Sequence, residues 1–320
     1  MNRILVTGSA GHLGEAMMRT LRRMDRDAIG LDILPSPFTD VVGSITDPAV
    51  VEGCMKGVDA VVHAATLHKP HVATHTREAF VSTNIHGTLV LLEAAVRARV
   101  SAFVYTSTTS AFGDALVPPE GAPAAWITED VVPVPKNIYG VSKVAAEELC
   151  ALAHRNQGLP CLILRTSRFF PEPDDDPARR DAFSDANLKA NEFLYRRADI
   201  EDVVGAHLLA LERAPRLGFG RYIISATPPF RREDAAELRR DVASVLDRRL
   251  PEWRATYDRL GWRLLPRLDR VYDNARARTE LGWQPKCDFS AVLQRASSGD
   301  IRSPLAREIG IKGYHRGQGS

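Results

Sequence analysis

The sequence predicts an α/β fold, a doubly wound parallel sheet followed by a smaller C-terminal lobe. Three observations carry this expectation. Short apolar runs alternate with helical patterns through the first 165 residues, a glycine-rich turn joins the first run to the first helical pattern, and the rhythm changes after Arg165. A chain of 320 residues has room for two domains at a prior of ~150 residues each.

The runs Arg3–Thr7, Ala28–Asp32, Ala60–His63, Ala102–Thr106 and Leu162–Arg165 read as strands. Between them, helices are predicted near Gly11–Met24, Ala49–Met55, Arg77–Arg99 and Tyr139–Asn156. In the third, Phe80, Leu91, Leu92, Ala95 and Val96 fall near helical spacing. Beyond Arg165, Pro171, Pro173, Asp174, Asp175, Asp176 and Pro177 read as a solvated loop, followed by a helix over Ile200–Arg213 and a strand at Tyr222–Ser225. The remainder is helical, rich in Arg, and broken at Pro251, Gly261, Pro266 and Gly282. The expected organisation is a nucleotide-binding domain over 1–166 with core elements returning near 195–225, a substrate lobe over 167–297, and a mobile tail over 298–320.

Composition narrows the class. Lys plus Arg number 42 against 40 Asp plus Glu, a formal charge of +2, which gives no support to nucleic-acid binding through a basic surface. No run of ~18 apolar residues suggests a membrane span. The first strand starts almost at Met1, which leaves no room for a signal peptide. Cys54, Cys150, Cys161 and Cys287 are far apart and form no CxxC pair, so neither a zinc ribbon nor a disulfide scaffold is expected. A cytoplasmic enzyme or binding protein is the expectation.

Thr7-Gly8-Ser9-Ala10-Gly11-His12-Leu13-Gly14 lies between the first strand and the first helix. Gly8 suits a tight turn, Gly11 a close approach to a pyrophosphate, and Gly14 close packing of helix on sheet, with backbone N–H groups and the helix dipole facing the phosphate. Asp32 ends the second strand, where a carboxylate accepts hydrogen bonds from an adenosine ribose or simply caps the following turn. Ile33 follows it, with no Arg or Lys beside it for a 2′-phosphate, so NAD is favoured over NADP.

Tyr139-Gly140-Val141-Ser142-Lys143 is a YxxxK motif that puts phenol and amine on one helix face. A tyrosine with a pKa near ~10 is a poor base at neutral pH, and a neighbouring ammonium together with an oxidised nicotinamide favours its phenolate. Thr106-Ser107-Thr108-Thr109-Ser110 follows the strand at Ala102–Thr106, and ligands in such sheets bind beyond the carboxyl ends of strands. A hydroxyl there could bond the substrate oxygen that Tyr139 deprotonates, or local backbone instead.

These segments, with GLDIL at 30–34, VVHAAT at 61–66, TNIHGTLVLLEAA at 83–95, YTSTTSAFG at 105–113, DIEDVVGAHLLAL at 199–211 and LGWQP at 281–285, resemble the extended short-chain dehydrogenase/reductase superfamily, in its NAD-dependent sugar epimerase/dehydratase branch, over residues 2–290. The resemblance implies a Rossmann domain and a set of roles. Gly8, Gly11, His12, Leu13 and Gly14 would line the pyrophosphate, Asp32 the ribose and Ile45 the adenine, with Ile33 and Ser44 among the cofactor-binding residues. His63, Ala64, Ala65, Thr106 and Ser167 would lie along the cofactor, with Asn84 supporting the relay. Thr108 would be the catalytic hydroxyl, Tyr139 the base and Lys143 its partner. Relatives dimerise through helices corresponding to Arg77–Arg99 and Tyr139–Asn156, which implies a homodimer.

The sequence also departs from the branch. Its dehydratases carry an Asp-Glu pair after the catalytic Thr, where Thr109-Ser110 stand here, so dehydration is disfavoured. Arg168 falls where the epimerases show an Asn, and Arg196-Arg197-Ala198-Asp199-Ile200-Glu201-Asp202 does not align cleanly with their Arg…His-Val-x-Asp segment. Arg168, Arg196, Arg197 and Arg270 are candidates for an anionic substrate or are solvated surface arginines. His68, His71 and His75 follow the strand at Ala60–His63 without a completing carboxylate or thiol, so no metal is expected; the resemblance sets this region above the nicotinamide and implies a substrate contact for His68, with Thr109. The expected activity is NAD-dependent hydride transfer at a secondary alcohol of a sugar-like small molecule. A C4-type nucleotide-sugar epimerase leads, a dehydrogenase or reductase is the alternative, and a non-catalytic NAD-binding protein is a remote one.

Overall fold

The computed structural model describes residues 3–174 and 176–313. Nine strands appear among them: β1 Arg3–Thr7, β2 Asp27–Asp32, β3 Val41–Val42, β4 Ala60–His63, β5 Ala102–Thr108, β6 Ala125–Ile127, β7 Cys161–Thr166, β8 Phe219–Ile224 and β9 Arg270–Tyr272. Seven form one sheet in the order β3-β2-β1-β4-β5-β7-β8, every pair parallel, and β6 pairs with β9 in a small second sheet. The order reverses at β1, and the crevice beyond the carboxyl ends of β1 and β4 is where such sheets hold ligands.

The central strands read as continuous apolar runs because both faces are covered. In β1, Ile4 and Val6 enter one core while Leu5 enters the other; Phe103 and Tyr105 oppose Ala102 and Val104 in the same way on β5. Helices α1 (His12–Arg23) and α8 (Ile200–Leu217) lie in the first core's layer. α2 (Pro48–Met55), α4 (Gly87–Ala98) and α5 (Ile138–Gln157) cover the other face.

The helix expected over Arg77–Arg99 is not uniform. A short α3 (Arg77–Phe80) passes through a π-helical turn at Val81–His86 into α4. A π-turn is rare and marks functional sites; this one carries Asn84. Gly87 follows because a Cβ there would lie 2.7 Å from the Ile45 side chain. By length and composition the run Arg77–Ala98 could cross a bilayer, and half of it is buried within the fold. β3, β6 and β9 have two or three residues each, too few for a periodicity signal.

The C-terminal lobe gathers α6 (Pro177–Ala182), α7 (Asp185–Phe193), α9 (Ala235–Leu238), α10 (Val242–Arg249), α11 (Trp253–Leu260) and α12 (Phe289–Ala296). Its core is built on Phe193, Leu246, Trp253, Tyr257 and Phe289. The expected tail over 298–320 departs from a mobile segment. Ser303 caps and Pro304 opens α13 (Pro304–Ile309), a standard helix start, and Leu305 and Ile309 are buried in the core shared with α1 and α8. Residues 314–320 of that segment lie outside the described residues. The aspartate loop also departs from a solvated one: Asp174 is buried and paired with Arg168 and Arg196, while Asp175 lies outside the described residues.

Candidate active site

The nucleotide loop is a tight backbone cradle. Gly8 adopts φ +75°, a conformation glycine accepts freely, and its N–H bonds the Leu31 carbonyl at 2.8 Å. A Cβ on Gly14 would stand 1.9 Å from the Gly8 carbonyl oxygen, so helix α1 approaches the loop only with glycine there. Gly11 is the N-cap of α1 with no side chain over the helix end, so the first N–H groups stay open to an anion. Leu13 is buried behind the loop. His12 is buried, with Nε2 3.0 Å from Glu172 Oε1 and its ring edge-on to Phe170 at 5.4 Å.

Asp32 stands at the carboxyl end of β2. Its carboxylate accepts from Ala10 N–H in the loop and from Leu34 N–H, both at 2.9 Å. It therefore caps its own turn and also fixes the loop, and each oxygen keeps a lone pair for a ribose hydroxyl. Ile33 is 65% exposed beside it. Ser44 Oγ bonds Thr46 Oγ1 at 2.8 Å, and Ile45 is buried against Gly87.

At the carboxyl end of β5, the catalytic candidates converge. Lys143 Nζ donates to the Thr106 carbonyl at 2.6 Å and lies 4.2 Å from the centre of the Tyr105 ring. Thr106 Oγ1 meets His207 Nε2 at 2.9 Å. Thr108 accepts from Ser110 N–H at 3.1 Å, and its hydroxyl stands by the Tyr139 phenol, whose ionisation it favours. Thr109 is buried in the turn that follows. The electrostatics correct the simple expectation that Lys143 lowers the tyrosine's pKa. Burial pushes Tyr139 up to about 12, with the Thr108 hydroxyl opposing it. Burial likewise pulls Lys143 down to about 7, against the Coulombic support of Glu147. In the protein by itself desolvation outweighs the pairing, because both groups are removed from water.

Two buried networks hold this pair. In one, Asn84 accepts from Leu67 N–H and donates to the Leu67 carbonyl, both at 2.8 Å, and donates to Ser142 Oγ at 2.9 Å. The π-turn is thereby tied to the helix between Tyr139 and Lys143. The other was missed from sequence. Glu147 accepts from Ser107 Oγ at 2.6 Å and takes a forked ion pair from Arg165, with contacts of 2.7 to 3.2 Å. Its signal was present: Tyr139, Lys143 and Glu147 repeat at i, i+4, i+8 on one helix face.

Other candidates take different parts. His63 spends both ring nitrogens inside the fold, on Thr7 Oγ1 at 2.8 Å and Thr88 Oγ1 at 2.9 Å, and burial drops it to about 3. Ala65 N–H bonds Thr7 Oγ1 at 3.2 Å, and Ala64 N–H bonds the Thr7 carbonyl at 3.3 Å, holding the chain beside the loop. His68 stacks on Phe170 at 5.7 Å and meets His71 at 4.4 Å. Among the described residues no group of three or more His, Cys, Asp or Glu could hold a metal. Arg168 pairs with Asp174, Arg196 with Asp174 and Glu192, and Arg197 with Glu192. The three guanidinium groups hold the Glu192 carboxyl down to about 2 against its burial, so these arginines are paired within the fold rather than solvated. Arg270 stands apart from that network.

The residues present fit a dinucleotide. The Gly8–Gly14 cradle would be filled by any Cβ, the α1 N-terminus is uncapped, and the buried Ser167 Oγ, just beyond β7, has no hydrogen-bond partner.

Comparison with known proteins agrees with this geometry. The profile of the NAD dependent epimerase/dehydratase family matches residues 4–221. The dTDP-glucose 4,6-dehydratase of Streptomyces niveus is 34% identical over 190 residues, 53% of this chain and 54% of that protein, so the chain spans about half that relative's length. The UDP-glucose 4-epimerase of Azospirillum brasilense is 28% identical over 99% of this chain and 97% of its own. A short-chain dehydrogenase/reductase superfamily protein from Agrobacterium tumefaciens, solved with bound NAD, shares the fold with a TM-score of 0.67 at 24% identity, covering 96% of this chain and 97% of that one. Cradle, sheet order and profile agree: the chain belongs to the NAD dependent epimerase/dehydratase family, and NAD is its cofactor.

Proposed function

We propose that the protein transfers hydride at a secondary alcohol of a nucleotide sugar or related sugar, and that its reaction is a C4-type epimerisation. The observation that carries this is the convergence of Thr108, Tyr139 and Lys143 at the carboxyl end of β5, next to the nucleotide crevice. The near full-length likeness to a UDP-glucose 4-epimerase supports the substrate class. The Thr109-Ser110 pair after Thr108 supports epimerisation over dehydration, since it offers no acid and base for expelling water.

When bound, NAD supplies a hydride acceptor at its nicotinamide ring. Thr108 holds the substrate hydroxyl by hydrogen bonding. Tyr139 takes the hydroxyl proton in the oxidising direction and returns it in the reducing one. Lys143, in its charged form, stabilises the phenolate. Starting from about 12, bringing the phenol near neutrality needs on the order of 7 kcal/mol of differential stabilisation. That is why the amine is held beside it in a site closed to water. The network of Asn84, Ser142, Glu147 and Arg165 fixes the helix that carries both groups.

The protein is incubated with catalytic NAD and a panel of UDP-, GDP- and dTDP-sugars. An epimer formed without stoichiometric NADH is the expected result. NADH accumulating with substrate supports the dehydrogenase reading instead. Tyr139→Phe is expected to lower turnover by roughly 10²- to 10⁴-fold while NAD still binds; unchanged turnover would sink the mechanism. We further propose a homodimer through α5 and the run from α3 through the π-turn to α4, on whose surfaces Val81, Leu89, Val141 and Leu152 are exposed.

A further inference from the structure

A line of buried polar side chains runs from the glycine loop to the helix that carries the catalytic pair. Thr7 ends β1 beside Gly8, and its register partner His63 ends β4. His63 Nδ1 meets Thr7 Oγ1 at 2.8 Å, and His63 Nε2 meets Thr88 Oγ1 at 2.9 Å. Thr88 Oγ1 donates to the Asn84 carbonyl at 2.6 Å. Asn84 Nδ2 donates to Ser142 Oγ at 2.9 Å, and Ser142 Oγ donates to the Tyr139 carbonyl at 2.8 Å. Thr7, His63, Thr88, Asn84 and Ser142 are each no more than 1% exposed.

Chemistry fixes the sense of each bond. A hydroxyl has one proton to give. Thr88 spends its proton on a carbonyl, which can only accept, so His63 Nε2 donates to Thr88. Burial keeps the ring neutral, with its pKa pulled to about 3. Nδ1 therefore carries no proton and accepts from Thr7. Thr7 Oγ1 accepts in turn from Ala65 N–H at 3.2 Å. Reversing any one bond would set two donors or two acceptors face to face in a dry interior, which is costly. The ring is also wedged in place. Phe103 lies edge-on at 6.1 Å and Tyr105 at 5.4 Å, and the same Tyr105 ring carries Lys143 Nζ at 4.2 Å.

We propose that His63 is a positioning residue for the hydride transfer: as its Nε2–H tautomer it sets the glycine loop and the helix of Tyr139 and Lys143 in fixed relation. The inference rests on the hydride-transfer reading above and adds a residue to it. With both ring nitrogens spent on neighbours, His63 acts through Thr7 on the cofactor side and through Thr88 and Asn84 on the catalytic side.

Nitrogen-15 NMR of the full chain should show the His63 ring protonated at Nε2 and bare at Nδ1. Two substitutions then cut the line on opposite sides. The side-chain oxygen of Asn stands as far from Cβ as Nδ1 does, and the side-chain amide of Gln as far as Nε2 does. His63→Asn thus keeps the Thr7 end and His63→Gln the Thr88 end. Both lose the ring's packing, so the difference between them reads the hydrogen bonds. Relative to His63→Gln, His63→Asn should turn over roughly 10- to 100-fold more slowly at saturating NAD and bind NAD roughly 10-fold tighter. Thr88→Val keeps the ring and the side-chain shape, so the test does not depend on the His63 variants folding. It should lower turnover as His63→Asn does, with NAD affinity within about twofold of wild type. Ultraviolet titration of the Tyr139 phenol in the NAD complex, read as the difference from Tyr139→Phe, needs no sugar and should move to higher pH in Thr88→Val. A proton on Nδ1, equal effects in His63→Asn and His63→Gln, or wild-type turnover and titration in Thr88→Val overturns the proposal. Absence of sugar turnover in the wild type sinks the hydride-transfer reading instead, and the tautomer, the NAD affinities and the phenol titration still decide the link.

Discussion

Replacing Glu147 by Gln tests the support of the catalytic pair. The carboxylate side chain is 1% exposed and that of Arg165 4%, joined by a fork at 2.7 to 3.2 Å, with Ser107 Oγ donating at 2.6 Å and Arg221 Nε 3.3 Å away. Glu147→Gln keeps the shape but leaves a buried guanidinium without its counter-charge, a loss of roughly 3–5 kcal/mol. Against a total stability of ~5–15 kcal/mol this is a large fraction. Urea unfolding measures it. The double variant Glu147→Met with Arg165→Met should recover at least half of the loss, because an apolar pair needs no counter-charge. The same change reaches the chemistry. Glu147 raises the pKa of Lys143 against burial, so its removal moves deprotonation of the ammonium below about 7. The limb of the kcat/KM profile on which activity falls with rising pH should shift to lower pH. A loss under ~1 kcal/mol with an unmoved profile would refute both the burial argument and the electrostatic one.

Gly14→Ala should abolish NAD binding, since the new Cβ would stand 1.9 Å from a backbone oxygen that cannot move aside; retained thermal stabilisation by NAD would contradict this. His63 and His207 are held at about 3 and about 4. Both lie below the unfolded value, so their contribution is fully present above pH ~6.5 and is lost as pH falls through the folded values, with each giving up roughly 3 kcal/mol by pH 4. Proton NMR should show these two rings neutral at pH 5.5, and either ring titrating near the ordinary histidine value would remove the premise. Light scattering should give a dimer mass that Val141→Asp with Leu152→Asp reduces to monomer, and an unchanged mass would exclude that helix face.

Much of the fold was legible because its signals are local. β1 and β4 span the residues expected, and α1 and α5 differ from expectation only at their ends, because the apolar runs of a sheet covered on both sides are continuous. The glycine loop, Tyr139 and Lys143 are short motifs whose geometry follows from helix and turn spacing. β3, β6 and β9 were not legible, since two or three residues carry no period. The π-turn at Val81–His86 was hidden inside a pattern that a regular α-helix satisfies equally. The Ser303-Pro304 helix start lay in a segment read by its composition.

By itself the sequence determined where a phosphate meets a helix end and which phenol faces which amine, because backbone geometry fixes neighbours three or four residues apart. Only the tertiary structure decided the charges. Arg168, Arg196 and Arg197 are indistinguishable from Arg270 along the chain, and what separates them is whether Asp174 or Glu192 reaches them in space. The same holds for Tyr139 and Lys143, whose motif promises a lowered phenol pKa and whose burial raises it. Desolvation depends on everything packed around a group, and that is a property of the folded chain rather than of any segment of it.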